Sequence, residues 1–255
     1  MQNRKKLKIL GIIPSRFASS RLPGKPLAVL HGKSMIQRVY EQCCKSLTLH
    51  ETVVATDDES IAEHLRSFGG KYIMTHKNHL NGTSRCAEVV QLQKSQDFSA
   101  IINIQGDEPL LHPNQIDELA TLLSNDGISI ATQAKKEHQL ELLENPNIVK
   151  VIIDEHNNAI DFCRIIHNKQ QLQNIQKAGF FYKHIGMYGF KSDVLLQLMQ
   201  LKPSKNEIEN HLEQLRWLDN GFNIKIGLTS YESISIDTKE DVDKAILILK
   251  KQENS

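Results

Sequence analysis

From Leu7 to Leu123 the chain alternates short apolar runs with segments of helical period, and this alternation restricts the fold more than any other feature. Leu7–Ile13, Thr52–Thr56, Tyr72–Met74 and Ser99–Ile104 read as strands. Between and after them Ser34–Ser46, Glu59–Phe68, Thr83–Gln93 and a stretch from about Pro113 to Leu123 read as helices; the first carries Met35, Ile36, Val39, Tyr40 and Cys43 at helical spacing. Asp57-Asp58 and Gly69-Gly70 supply a start and a stop for the second helix. Strand, helix, strand, helix predicts a parallel sheet with crossover helices, in which ligands bind beyond the carboxyl ends of the strands.

The second half changes character. Ile128–Gln133, Val149–Asp154, Ala159–Cys163 and His184–Phe190 read as strands joined by polar connections, an antiparallel addition to the sheet. Glu207–Asn220 is expected to be one amphipathic helix, with Ile208, Leu212, Leu215 and Leu218 on a face and Gly221 as its stop. Phe222–Leu228 and Ser233–Ile236 read as strands. Thr238 and Asp241 form a capping-box-like start to a last helix, Lys239–Lys250. No linker, repeat or low-complexity block interrupts the chain, so a single α/β domain over 1–255 is expected, with a mostly parallel central sheet flanked by helices and a smaller antiparallel extension.

The segment after the first strand reads IPSRFASSRLPGKPL, from Ile13 to Leu27. Three cations, Arg16, Arg21 and Lys25, lie among turn-forming residues at a strand's carboxyl end, as a polyphosphate tail requires. Lys25 is followed by Pro26 rather than Ser or Thr, which excludes a Walker loop and makes a P-loop ATPase the poorest reading. Lys and Arg total 31 against 30 acids, so whole-molecule charge argues for neither nucleic acid nor membrane binding. No apolar run is long enough to span a bilayer, and the start, MQNRKKLKIL, lacks the length of a signal-peptide core; a cytoplasmic protein is expected. Cys43, Cys44, Cys86 and Cys163 form no C-x-x-C pair and read as reduced thiols. His76 and His79, in a polar turn, read as surface histidines.

Asp107 follows the fourth strand in a Gln-Gly-Asp-Glu-Pro turn, and Asp237 ends the segment before the last helix. Two such carboxylates meeting near a cationic loop would suit Mg²⁺, which takes one or two carboxylates together with phosphate oxygens and water. No nucleophile–base pair and no G-x-S-x-G elbow stands out, which favours chemistry in which the substrate brings the nucleophile.

In order, IPSRFASSRLPGKPL, VVATDDESI, MTHKNHLNGTSRCAEV, INIQGDEPL, KHIGMYGF, LEQLRWLDNG and SIDTKEDV closely resemble the 3-deoxy-manno-octulosonate (Kdo) cytidylyltransferases, from about Ile9 to Leu249. The resemblance implies a Rossmann-like nucleotidyltransferase fold and a homodimer, with the second-half strands and Trp217 as candidate interface. It also implies attack of the Kdo anomeric hydroxyl on the α-phosphorus of CTP, giving CMP-Kdo and pyrophosphate for lipopolysaccharide synthesis. By motif, Arg16, Arg21 and Lys25 would hold the triphosphate, and Asp107 and Asp237 the magnesium. Asn81, Thr83 and Arg85 belong to the cytosine-reading block. Gln105, Arg164, His184, Tyr188, Glu213 and Gln214 match positions that grip the sugar acid. On residue chemistry alone, Arg85 would read as a helix-surface charge, and His184 and Tyr188 as core packing.

The chain departs from the family pattern in several places. Phe162-Cys163-Arg164 is followed by Ile165-Ile166-His167-Asn168-Lys169, with no proline. Ser84 stands for an acidic residue, Asn81 for serine and Lys239 for proline. An amino-Kdo or related 2-keto sugar acid as acceptor, and a nucleotide-binding paralogue without catalysis, are the alternatives.

Overall fold

The computed structural model describes residues 7–17, 22–232 and 234–253. Strand β1 (Ile9–Ser15) lies near the centre of the sheet, and its neighbours in sequence alternate faces: Ile9 and Ile13 join one buried cluster, Leu10 and Ile12 the other. A hairpin of β2 (Val29–Leu30) and β3 (Lys33–Ser34) follows, turned by His31 and Gly32, both at positive φ as a type I′ turn requires. Ser34 then caps α1 (Met35–Cys43), accepting from Gln37 N. Next come β4 (Glu51–Thr56), α2 (Glu59–Ser67), β5 (Tyr72–Met74), α3 (Gly82–Leu92), β6 (Ala100–Asn103) and α4 (Pro113–Leu123). Asp58 caps α2 as expected, and Gly69 ends it at φ 78°.

The second half contributes β7 (Ile130–Glu137), β8 (Lys150–Ile153), β9 (Ala159–Cys163), α5 (Lys169–Ala178) and β10 (Phe181–Lys191). The helices α6 (Ser192–Leu198), α7 (Lys205–Asn210) and α8 (Glu213–Asp219) follow, then β11 (Lys225–Leu228) and α9 (Lys239–Glu253). The sheet runs β11-β7-β10-β6-β1-β4-β5, with β8 and β9 branching from β10. Parallel pairing joins β5, β4, β1 and β6, while β10 runs antiparallel between β6 and β7. β11 pairs parallel with β7, so the antiparallel extension is β10 with the β8–β9 hairpin. A mostly parallel central sheet with a smaller antiparallel part is therefore the observed fold.

Four expectations change. Glu207–Asn220 is two helices, because His211 sits in the left-handed region at φ 53° and breaks the run. Arg216 locks the break by donating from Nε and Nη2 to Glu207, at 2.7 and 2.5 Å, while Ile208 is left exposed. Residues 234–236 form no strand: Ile236 N donates to Asp107 O, which ties this segment to the turn after β6 instead of to a ladder; Ser233 lies outside the described residues. Helix α5 carries no fully buried residue, which explains why apolar periodicity did not disclose it. Trp217, expected at an interface, is 1% exposed and packs edge-on against Tyr188 and Phe190 in the core.

Candidate active site

The carboxyl ends of β1 and β6 open into a pocket of about 380 Å³, closed on its other sides by Lys25, Asp237 and the start of α3. Two glycines let these segments approach. A Cβ on Gly106 would lie 3.0 Å from the Pro14 carbonyl, and one on Gly82 would lie 3.0 Å from Pro14 Cγ. The strand ends thus meet the turn and the helix start at a separation that a side chain would prevent.

At one end of the pocket Lys25 Nζ donates to Asp107 Oδ2 at 2.7 Å and to Asp237 Oδ1 at 3.0 Å. Carboxylates 82 and 212 positions beyond Lys25 in the chain are brought to its one ammonium by the basic loop, the β6 turn and the approach to α9. The backbone supports the pair: besides the Ile236–Asp107 bond, Asp241 Oδ2 accepts from Asp237 N, Thr238 N and Thr238 Oγ1. Asp241 N returns a bond to Thr238 Oγ1, so the expected cap forms with Lys239 at the helix start. Arg16, exposed, lines the same pocket. Arg21 lies outside the described residues.

At the other end Arg85, read from residue chemistry as a surface charge, is 3% exposed. Its Nη1 donates to Thr75 Oγ1 at 2.6 Å and lies 3.4 Å from Asp57 Oδ1. Thr75 Oγ1 in turn donates to Thr56 O, anchoring the guanidinium to the end of β4. Asp57, seen in the sequence only as part of a helix-start signal, is therefore an orienting partner of Arg85. Asn81 caps α3 by accepting from Ser84 N.

His79 corrects a second surface reading. It lines the pocket half-buried, with Nδ1 3.1 Å from Ser84 Oγ and Nε2 2.5 Å from Glu88 Oε2. Burial raises the Glu88 carboxyl, but bonds from His79 and from His76 N outweigh this and hold it below the usual carboxylate range. The three-residue spacing of H-x-x-H gave no hint of this; the Glu88 partner lies in α3, nine positions along.

Of the residues matched to sugar-acid binding, Gln105 lines the pocket and Glu213 reaches its lining through Asn81. Glu213, from the helix after the His211 break, accepts from Asn81 Nδ2 at 2.9 Å and Thr83 Oγ1 at 2.7 Å. Burial pushes its carboxyl up, partly offset by the Thr83 bond. Gln214, its neighbour, is buried, and Gln105 lines the pocket with Nε2 donating to Gly186 O. A register shift between Ile185 and Tyr188 brings the His184 and Tyr188 rings to 5.4 Å on one face. Burial lowers the His184 pKa to about 3 and raises that of Tyr188, whose hydroxyl has no hydrogen-bond partner. Arg164 stands apart from the pocket lining; its guanidinium donates to the carbonyls of Pro146, Asn210 and His211, next to the break that presents Glu213.

Together a cation–carboxylate pair, a deep arginine and a set of buried hydrogen-bonding groups can hold an anionic nucleotide and a polyhydroxylated partner. Among the described residues no three His, Cys, Asp or Glu side chains converge as a complete metal cage. A family model described as cytidylyltransferase matches residues 10–230. The 3-deoxy-manno-octulosonate cytidylyltransferase of Phocaeicola vulgatus is 43% identical, with 97% of this chain and 99% of that protein covered. The protein of the same name from Thermodesulfovibrio yellowstonii is 45% identical over 92% of this chain and 95% of its own. A solved structure of CMP:2-keto-3-deoxy-manno-octonic acid synthetase complexed with CTP superposes with a TM-score of 0.89 at 33% identity, covering 96% and 99% of the two chains. By sequence over nearly its whole length, and by fold, the chain belongs to the cytidylyltransferase family.

Proposed function

We propose that the protein transfers the cytidylyl group of CTP to the anomeric hydroxyl of Kdo, releasing pyrophosphate, with all steps carried by one domain. The observation that carries this reading is the Lys25 ammonium held between Asp107 and Asp237 at one end of a pocket whose other end is Arg85. That geometry supports a polyphosphate beside the carboxylates and a base against Arg85, whose guanidinium suits the cytosine O2 and N3 acceptors. Arg16, Arg21 and Lys25 neutralise charge on the departing pyrophosphate. Gln105, His184, Tyr188, Glu213 and Gln214 bind and orient the sugar acid, and Arg164 acts through the backbone, holding the Asn210 and His211 carbonyls at the break that presents Glu213.

Asp107 and Asp237 fit Mg²⁺: they offer hard oxygen donors to a common point, and two carboxylates leave room for the waters and phosphate oxygens that this ion keeps. When bound there, the ion would neutralise phosphate charge. The proposal extends to a homodimer and to a cytoplasmic role in lipopolysaccharide synthesis. Among the described residues no helix is long and apolar enough to cross a membrane.

The test is a pyrophosphate-release screen of the four ribonucleoside triphosphates against Kdo, amino-Kdo and other 2-keto sugar acids. Release with CTP and Kdo above every other pair is expected. Faster turnover on amino-Kdo would move the acceptor assignment. CTP binding without release on any acid would replace catalysis by nucleotide binding alone.

A further inference from the structure

Resting on the proposed nucleotidyl transfer, one residue stands in two places. Lys25 is needed by the triphosphate, yet its ammonium is engaged by both carboxylates that suit the metal, and its side chain is only 12% exposed. Those carboxylates are themselves about one-third exposed, 31% and 35%, so a cation can reach them from the pocket. A magnesium ion binds oxygens at about 2.0–2.1 Å, whereas the ammonium holds the same oxygens at hydrogen-bonding distance. A dication and an ammonium cannot share the point between two carboxylate oxygens.

The backbone at Lys25 is fixed while its side chain has somewhere to go. Gly24 precedes it in the left-handed region at φ 66°, Lys25 N donates to Leu22 O, Ala28 N donates to Lys25 O, and Pro26 locks the next φ. Departure of the ammonium therefore needs only rotation of a flexible four-carbon stem toward the pocket it already lines.

We propose that Lys25 is a positioning residue that occupies the Asp107–Asp237 pair until a polyphosphate draws its ammonium away, so that divalent cation and nucleotide assemble together and the pair by itself binds metal weakly. Because the coupling is thermodynamic, it acts in both directions: a cation on the pair frees Lys25 for phosphate, and phosphate on Lys25 frees the pair for the cation.

The test measures Mn²⁺ binding by electron paramagnetic resonance, with nucleotide absent, in the wild type, Lys25→Met, Arg16→Met and Lys25→Met/Asp237→Asn. Methionine keeps the apolar stem, and circular dichroism confirms that each variant is folded. Lys25→Met is expected to bind Mn²⁺ roughly 5- to 150-fold tighter than the wild type. The double variant is expected to lose that gain, which locates the ion at the pair. Arg16→Met removes a charge from the same pocket without opening the pair and is expected to stay within about threefold of the wild type, against the 5-fold floor of a coupled site. Equal affinity of the wild type and Lys25→Met, or an equal gain in Arg16→Met, overturns the proposal. Failure of the functional reading is separate: it shows as no pyrophosphate release with any acid, whatever the Mn²⁺ affinities.

Discussion

His184 allows a quantitative forecast about stability. Its ring lies between Phe162 at 5.0 Å and Tyr188 at 5.4 Å, with Nε2 3.1 Å from Thr132 Oγ1, and no carboxylate forms an ion pair with it among the described residues. Burial lowers its pKa from 6.5 to about 3. A base with its folded pKa below its unfolded value binds fewer protons when folded, so the stability it contributes is complete above pH 6.5 and is lost as pH falls toward 3. At 1.36 kcal/mol per pH unit the loss is about 1.4 kcal/mol at pH 5.5, about 2.7 at pH 4.5 and approaches 5 below pH 3. The assay is urea unfolding of the wild type and His184→Gln at several pH values from 7.5 to 4.5. Glutamine keeps a group able to bond Thr132 and does not titrate. The two curves should converge as pH falls, the gap changing by about 2.7 kcal/mol between pH 7.5 and 4.5. Parallel profiles would refute the assignment of a neutral, buried imidazole. An imidazole NMR titration with a midpoint near 6.5 would do so independently.

Arg216→Ala should destabilise the protein by about 3 kcal/mol, seen as a fall in Tm of roughly 6–12 °C, because it leaves Glu207 uncompensated at 15% exposure. Gly106→Ala should cost about 1–3 kcal/mol and reduce activity, since the new Cβ meets the Pro14 backbone oxygen rather than a movable side chain; calorimetry and pyrophosphate release check it together. Asp57→Asn should raise the KM for CTP about tenfold with little change in kcat, a loss of about 1.4 kcal/mol from a weakened charge partner of Arg85. Asp107→Asn or Asp237→Asn, or EDTA with the wild type, should lower kcat at least about a hundredfold; undiminished turnover would remove the metal from the reading.

The parts of this molecule that were legible in its sequence share a property: their causes are local. Asp58 before an amphipathic run caps α2 because its carboxylate reaches N–H groups two and three residues away. Pro113 opens α4 because its ring presets φ. The apolar runs of β1, β4 and β6 become central strands because both of their faces are covered. The ordered motifs made the cytidylyltransferase family recognisable. Periodicity failed where a distant contact outweighed it. Ile208, Leu212, Leu215 and Leu218 mark one helical face, yet the Glu207–Arg216 pair and the left-handed His211 support a break that turns Glu213 toward Asn81 and Thr83.

The sequence by itself determined the alternating α/β framework, the basic loop and the two aspartates, one in the turn after a strand and one before the last helix. Only tertiary structure decided that Lys25 bridges those aspartates, that Arg85 is buried against Thr75 and Asp57, that His79 belongs to the pocket and that Trp217 belongs to the core. The physical reason is the range of the forces. Caps, turns and strand propensity act over a few residues, whereas burial and charge pairing depend on which segments the sheet order brings together. In this protein that order places β10 antiparallel beside β6, and Lys25 and Asp237, 212 positions apart, meet at the pocket beyond the strand ends.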